Sequence, residues 1–247
     1  MRILLINPNT TEALTERLAV AARAVASHGT ELTCVTACSG VPYISTRSEA
    51  LIGGVQVLEI LAEHQDNFDA AIVAAFGDPG LGAARELFDI PVVGLAEAGM
   101  LTACMLGGRF SIVTFAQALG PWYKECVAWH RLENRCCGVR MLPGNFRSIS
   151  EVQEEKEELL VNLAMQAVFE DEADVVVLAG APLSGLAAKV RDRIPVPVVD
   201  CAEAAMKQAE ALASLRPRAP EAGSFRRPAP KPSIGVSQRL ADRIAHV

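Results

Sequence analysis

One segment of the chain occurs twice. Residues 68–100, FDAAIVAAFGDPGLGAARELFDIPVVGLAEAGM, return in altered form as residues 173–206, ADVVVLAGAPLSGLAAKVRDRIPVPVVDCAEAAM. Asp69 matches Asp174 and Ala75 matches Gly180, both 105 residues apart. After one inserted residue, Val92-Val93 matches Val198-Val199 and Glu97 matches Glu203, both 106 apart. Apolar strands alone recur by chance. A strand, a small-residue turn, a short helix, a Pro-Val-Val strand and an Ala-Glu-Ala helix start do not recur together by chance. The repeat predicts two similar lobes built from the same unit.

Each unit alternates a short apolar run with a helical pattern, the signature of βαβ units and a parallel sheet. Strands are expected at residues 2–6, 31–37, 70–75, 92–94, 111–114, 139–142, 175–179 and 198–200. Helical patterns lie at 11–27, 48–64, 81–87, 98–106, 122–130, 151–171, 183–190 and 202–215. The fold class is therefore α/β: two similar doubly wound parallel-sheet lobes related by a pseudo-twofold, with a ligand cleft between them. Residues 1–97 with 202–215 are expected to form the first lobe, and 98–201 the second. Residues 216–247, rich in Pro and Arg and without apolar periodicity, read as an extended C-terminal arm. Residues 237–245 can close it as a short helix.

Composition agrees with buried parallel strands. Half the residues (51%) are hydrophobic but only 5% are aromatic, which favours Val/Ile/Ala strands under Ala-rich helices over a β-sandwich. The net charge of −6 argues against nucleic acid as a partner. From Ala211 onward seven basic side chains meet two acidic ones, so the arm carries +5 and the rest −11. The apolar stretch 91–106 is interrupted by Glu97 and two glycines, so no membrane partner is expected. Pro8 interrupts the start MRILLINPNT too early for a signal peptide, and seven cysteines without metal-ligand spacing suggest reduced thiols in a cytoplasmic protein. The four histidines show no triad or metal arrangement along the chain. A homo-oligomer is expected, with no cofactor and no metal.

In open α/β sheets, ligands bind beyond the carboxyl ends of the strands, where helix N-termini present free N–H groups. Asn7 can offer an amide there, and Thr10 or Thr11 can cap the first helix. In the FGDPG turn, Phe76 and Gly77 can line the cleft, and Asp78 is either a general base or a helix cap. Ala181 and Pro182 occupy the equivalent turn of the other lobe, and Thr114 and Phe115 end a strand in a hydroxyl and a ring. Cys38 ends the second strand, where its thiol is a candidate for the rim. Glu97 reads as a helix-start carboxylate, and Ser45, Thr46 and Arg47 as loop residues able to meet a carboxylate.

NPNT near the start, AFGDPGL, PVVGLAEAGM, LAGAPLSGLA and PVPVVD together resemble the Asp/Glu/hydantoin racemase superfamily, with the hydantoin and allantoin racemases the nearest branch. The resemblance covers about residues 1–210. It implies a small carboxylate or cyclic amide held between lobes by backbone amides and hydroxyls. It also implies two cysteines, one per lobe, that exchange the proton α to a carbonyl from opposite faces. Those thiols would fall at Ala75 and Gly180, which supply neither proton nor base. The resemblance therefore suggests racemase or isomerase chemistry, carried by Asp78, a bound water or Cys38 in place of paired thiols. The alternatives are a lyase or hydrolase on related substrates, or a non-catalytic binding protein on the same scaffold.

Overall fold

A computed structural model describes residues 1–144 and 147–247. The first sheet is built from β1 (Arg2–Asn7), β2 (Glu31–Thr36), β3 (Ala70–Val73) and β4 (Val92–Gly94), in the order β2-β1-β3-β4. The second uses β5 (Phe110–Thr114), β6 (Cys136–Met141), β7 (Val175–Leu178) and β8 (Val198–Asp200), in the order β6-β5-β7-β8. Every pairing is parallel and the strand order of one sheet repeats in the other. The two-lobed α/β fold read from the repeat is the fold observed. In β1, β3, β5 and β7 nearly every residue is buried, as strands covered on both faces require.

The matched aspartates of the repeat have matched roles. Asp69 accepts the Arg2 N–H at 2.7 Å, and Asp174 accepts the Arg109 N–H at 2.9 Å. Each carboxylate pins the start of the adjacent central strand.

Helices cover both sheets. In the first half these are α1 (Glu12–Val25), α2 (Arg47–His64) and α3 (Leu81–Leu87). In the second half they are α5 (Gly120–Trp129), α6 (Val152–Glu170) and α7 (Leu186–Val190). The helices that follow each last strand change lobes. α4 (Leu95–Leu106) leaves β4 and packs on β5, β7 and β8, while α8 (Cys201–Leu215) leaves β8 and packs on α1, β3 and β4. The two helices also pack on each other. A Cβ at Gly99 of α4 would lie 2.6 Å from Cys201 Sγ, so only glycine permits that approach. No helix among the described residues is long and apolar enough to cross a membrane.

Three starts differ from the sequence reading by three residues. α4 starts at Leu95, three residues early, because its N–H groups are capped from a distant turn rather than locally. β6 starts at Cys136, so the vicinal cysteines belong to an edge strand pairing with Phe110. Residues 181–183 form a 3₁₀ turn, and α7 proper waits until Leu186. The arm does end in a helix, α9 (Gln238–Ala245), capped by Ser237 Oγ. It lies against α2: Leu240 is buried, and Arg243 donates to the Leu87 carbonyl and Asp89.

Glu210 anchors α8 to the first lobe. Its carboxylate accepts the Ser27 N–H (2.7 Å), the Ser27 and Thr30 hydroxyls (2.8 and 2.7 Å) and Lys207 Nζ (2.9 Å). Burial opposes ionisation here, but these donors outweigh it and hold the carboxyl down at about 2. A depressed folded pKa adds stability that is complete above the unfolded pKa and lost as pH falls toward the folded one. Glu210→Gln is expected to cost about 2 kcal/mol near neutrality. In urea titrations the gap from wild type should narrow as pH falls from about 4.5 toward about 2; a pH-independent gap would contradict this role.

Candidate functional site

The turns after β3 and β7 meet across the lobes. Ala75 and Gly180 line one small cavity, together with Asn9, Tyr43, Phe76, Phe115, Trp122, Tyr123, Ala181 and Pro182. Its volume is about 20 Å³, room for roughly one water. Aromatic rings fill the rest. Phe76 and Tyr123 have centroids 4.4 Å apart, Trp122 and Tyr123 5.7 Å, and Tyr43 and Phe115 5.9 Å.

Gly180 has φ +109°, a backbone conformation that L side chains rarely adopt. A Cβ there would lie 2.9 Å from Phe115 Cε1 and 3.2 Å from the Tyr123 hydroxyl. The space beside Gly180 is thus held by an aromatic edge and a phenol. Burial pushes the hydroxyls of both Tyr123 and Tyr43 above the usual phenol range, so both stay protonated. Tyr123 bonds Thr114, whose own hydroxyl donates to the Ala179 carbonyl at 2.9 Å.

The sequence candidates divide accordingly. Phe76, Phe115, Ala181 and Pro182 join Ala75 and Gly180 on the cavity wall. Asn7 lies behind it, its amide donating to Asn9 Oδ1, the Thr11 carbonyl and Thr15 Oγ1 at 3.1, 3.2 and 2.9 Å. Thr10 gives its N–H to the Val41 carbonyl. Neither Thr10 nor Thr11 caps α1 with its side chain; Asn9 Oδ1 accepts the Thr11 N–H, and the Thr11 hydroxyl donates to the Pro42 carbonyl. Thr114 is fully buried behind the wall, and Cys38 is exposed and away from the cavity. Ser45 and Thr46 donate to Glu49, and Arg47 pairs with Glu125. Asn9, Trp122 and Tyr123 were not singled out in the sequence. Asn9 sits within the quoted NPNT, but the ring pair lies on a helix whose facing cannot be known before the lobes are docked.

Asp78 adopts φ +49°, a left-handed conformation that aspartate tolerates, and is buried. Its carboxylate leaves its own turn to cap α4, accepting the N–H groups of Ala96 (2.8 Å) and Glu97 (2.9 Å). A Cβ at Gly94 would lie 2.4 Å from that carboxyl carbon. In the second lobe the matching position is Asp200, which caps α8 directly through Ala202 and Glu203 and accepts the Gly185 N–H at 2.5 Å. Both junctions are capped by a carboxylate, but the residue carrying it has moved. His130 Nε2 completes the first cap, 3.0 Å from Asp78 Oδ2. Asp78 and Gly77 line a second cavity of about 470 Å³ rather than the small one, and the Trp122 indole lines both. The chain-order reading of the histidines is corrected here: the fold sets His130 beside a carboxylate and, through α5, beside Cys126.

Residues 3–209 match the family model described as Asp/Glu/Hydantoin racemase. The chain belongs to the Asp/Glu/hydantoin racemase family. It is 35% identical to a hydantoin racemase of Paenarthrobacter aurescens over 94% of this chain and 99% of that one. Two allantoin racemase structures have the same fold. The Klebsiella pneumoniae protein has a TM-score of 0.91 at 34% identity, covering 97% of this chain and 98% of its own. The Pseudomonas fluorescens protein has a TM-score of 0.88 at 35% identity, covering 95% and 100%.

For this family member, Asp78→Ala would strand two N–H groups of α4 and the His130 ring. It should cost about 2 kcal/mol in urea unfolding, and Asp78→Asn, which keeps one acceptor, should cost less. A loss under about 0.5 kcal/mol would show that the cap does not hold α4.

Proposed function

We propose that this racemase-family chain binds a small cyclic ureide or carboxylate of the hydantoin and allantoin kind between its lobes, without exchanging the ligand's α-proton. The observation that carries this reading is the pair Ala75 and Gly180 on one cavity wall. Inverting a carbon centre needs a base on one face and an acid on the other, and neither side chain can be either. The nearby phenols of Tyr43 and Tyr123, kept protonated by burial, can donate to a ligand carbonyl but cannot abstract a proton. Ligand entry requires the aromatic wall to move outward, since the cavity of about 20 Å³ admits nothing larger than water. The hydantoin and allantoin racemases to which the chain is similar motivate the ligand class.

Proton NMR in D₂O tests both parts. Incubated with enantiopure hydantoins or allantoin, the protein should broaden or shift ligand resonances. The α-proton signal should not decay faster than in buffer, and optical rotation should stay constant. Exchange above the buffer rate would overturn the non-catalytic reading and leave a racemase or isomerase with another base. Absence of any ligand perturbation would overturn the binding assignment.

The homo-oligomer reading is supported by exposed apolar side chains on two helices, Leu51, Ile52 and Val55 of α2 and Leu101, Met105 and Leu106 of α4. Light scattering should give a mass at least twice 26.3 kDa, and a mass of 26.3 kDa would contradict it.

A further inference from the structure

Asp78, Cys126 and His130 form a cluster that the proposed function does not use. We propose that these three side chains bind one divalent transition-metal ion of the zinc class. Each offers one ligand atom, and the three atoms lie within 4.8 Å of one another. An ion with bonds of about 2.0–2.3 Å in tetrahedral geometry sets its ligand atoms roughly 3.3–3.8 Å apart. Asp78 Oδ2 and His130 Nε2 are already 3.0 Å apart, so closure needs shifts of about an ångström or less. Carboxylate, imidazole and thiolate make a zinc donor set, and the sulfur disfavours magnesium and calcium.

Local structure holds each ligand in place. Cys126 lies on α5 and His130 caps its end, four residues on, so both project from one face. Asp78 is fixed by the two α4 N–H groups it caps. Glu97 Oε1 stands 3.6 Å from His130 Nδ1, and Arg85 holds Glu97 through both guanidinium ends. Without metal Nε2–H donates to Asp78. On binding, the ion takes the place of that proton, and the carboxylate of Glu97 beside Nδ1 receives the ring N–H of the other tautomer, an arrangement found in many zinc sites. The His130 side chain is only 6% exposed. Asp78 and Cys126 also line the cavity of about 470 Å³, so an ion with three protein ligands keeps a fourth position for water from that side. Binding sends the Cys126 thiol proton to solvent, and the thiolate and the Asp78 carboxylate together balance the dication.

Cobalt(II) titrated into the metal-free full chain tests this. One equivalent should produce tetrahedral d–d bands and a thiolate-to-cobalt charge-transfer band, with release of about one proton, and zinc(II) should erase the bands. Cys126→Ser should abolish the charge-transfer band and His130→Gln the one-equivalent saturation. Glu97→Gln should keep the spectrum but weaken affinity about 10–100-fold. Cys38→Ser and Cys137→Ser should change nothing. A band that survives Cys126→Ser, or the absence of saturable binding, overturns the site. Should Cys126→Ser fail to fold, X-ray absorption of the zinc-loaded wild type decides instead. One sulfur with nitrogen and oxygen ligands supports the site, while no sulfur or more than one overturns it.

Discussion

A buried carboxylate at the mouth of each sheet holds this molecule together. Where the last strand of a lobe ends, the chain turns into a helix whose first N–H groups have no intrahelical partner. Burying them uncapped costs about as much as a lost hydrogen bond each. Asp200 meets this demand from the N-cap position, and Asp78 meets it from another turn. The second solution ties the loop after β3 to the start of α4. The helices so capped are those that cross from one lobe to the other, which makes the caps part of the joint between lobes.

The geometry of the cleft follows from that joint. With α4 and α8 exchanged, the carboxyl ends of both sheets converge, and the turns at Ala75 and Gly180 share a wall. α5 then supplies Trp122, which stands where a Cβ at Gly77 would lie, and Tyr123, which with Phe115 crowds the Cβ position of Gly180. The positive φ at both glycines and the rings against them belong to one packing solution. The aromatic rings leave the small cavity room for roughly one water, and burial among them keeps the phenols of Tyr43 and Tyr123 protonated.

The same helix faces two ways. Trp122 lines both cavities, while Cys126 and His130, one and two turns further along, face the Asp78 cap. Metal occupancy at that cluster would tie α5, which carries Trp122 of the cavity wall, to the turn after β3 through Asp78.

The duplicated segment determined the two lobes, the parallel sheets and the turns that line the cleft, because strand burial and small-residue turns leave a periodic imprint on a chain. The correspondence of Asp69 with Asp174 was readable for the same reason, while their roles, accepting the Arg2 and Arg109 N–H groups, came with the fold. Asn7 shows where such reading ends: its position beyond a strand is local information, but the direction of its amide, into Asn9, Thr11 and Thr15, depends on packing. The α4 cap by Asp78, the rings that close the cavity and the meeting of Cys126 and His130 with Asp78 join residues from different elements. Spacing along a sequence reports which face of a helix is apolar. Only the docking of helix on sheet decides what that face meets.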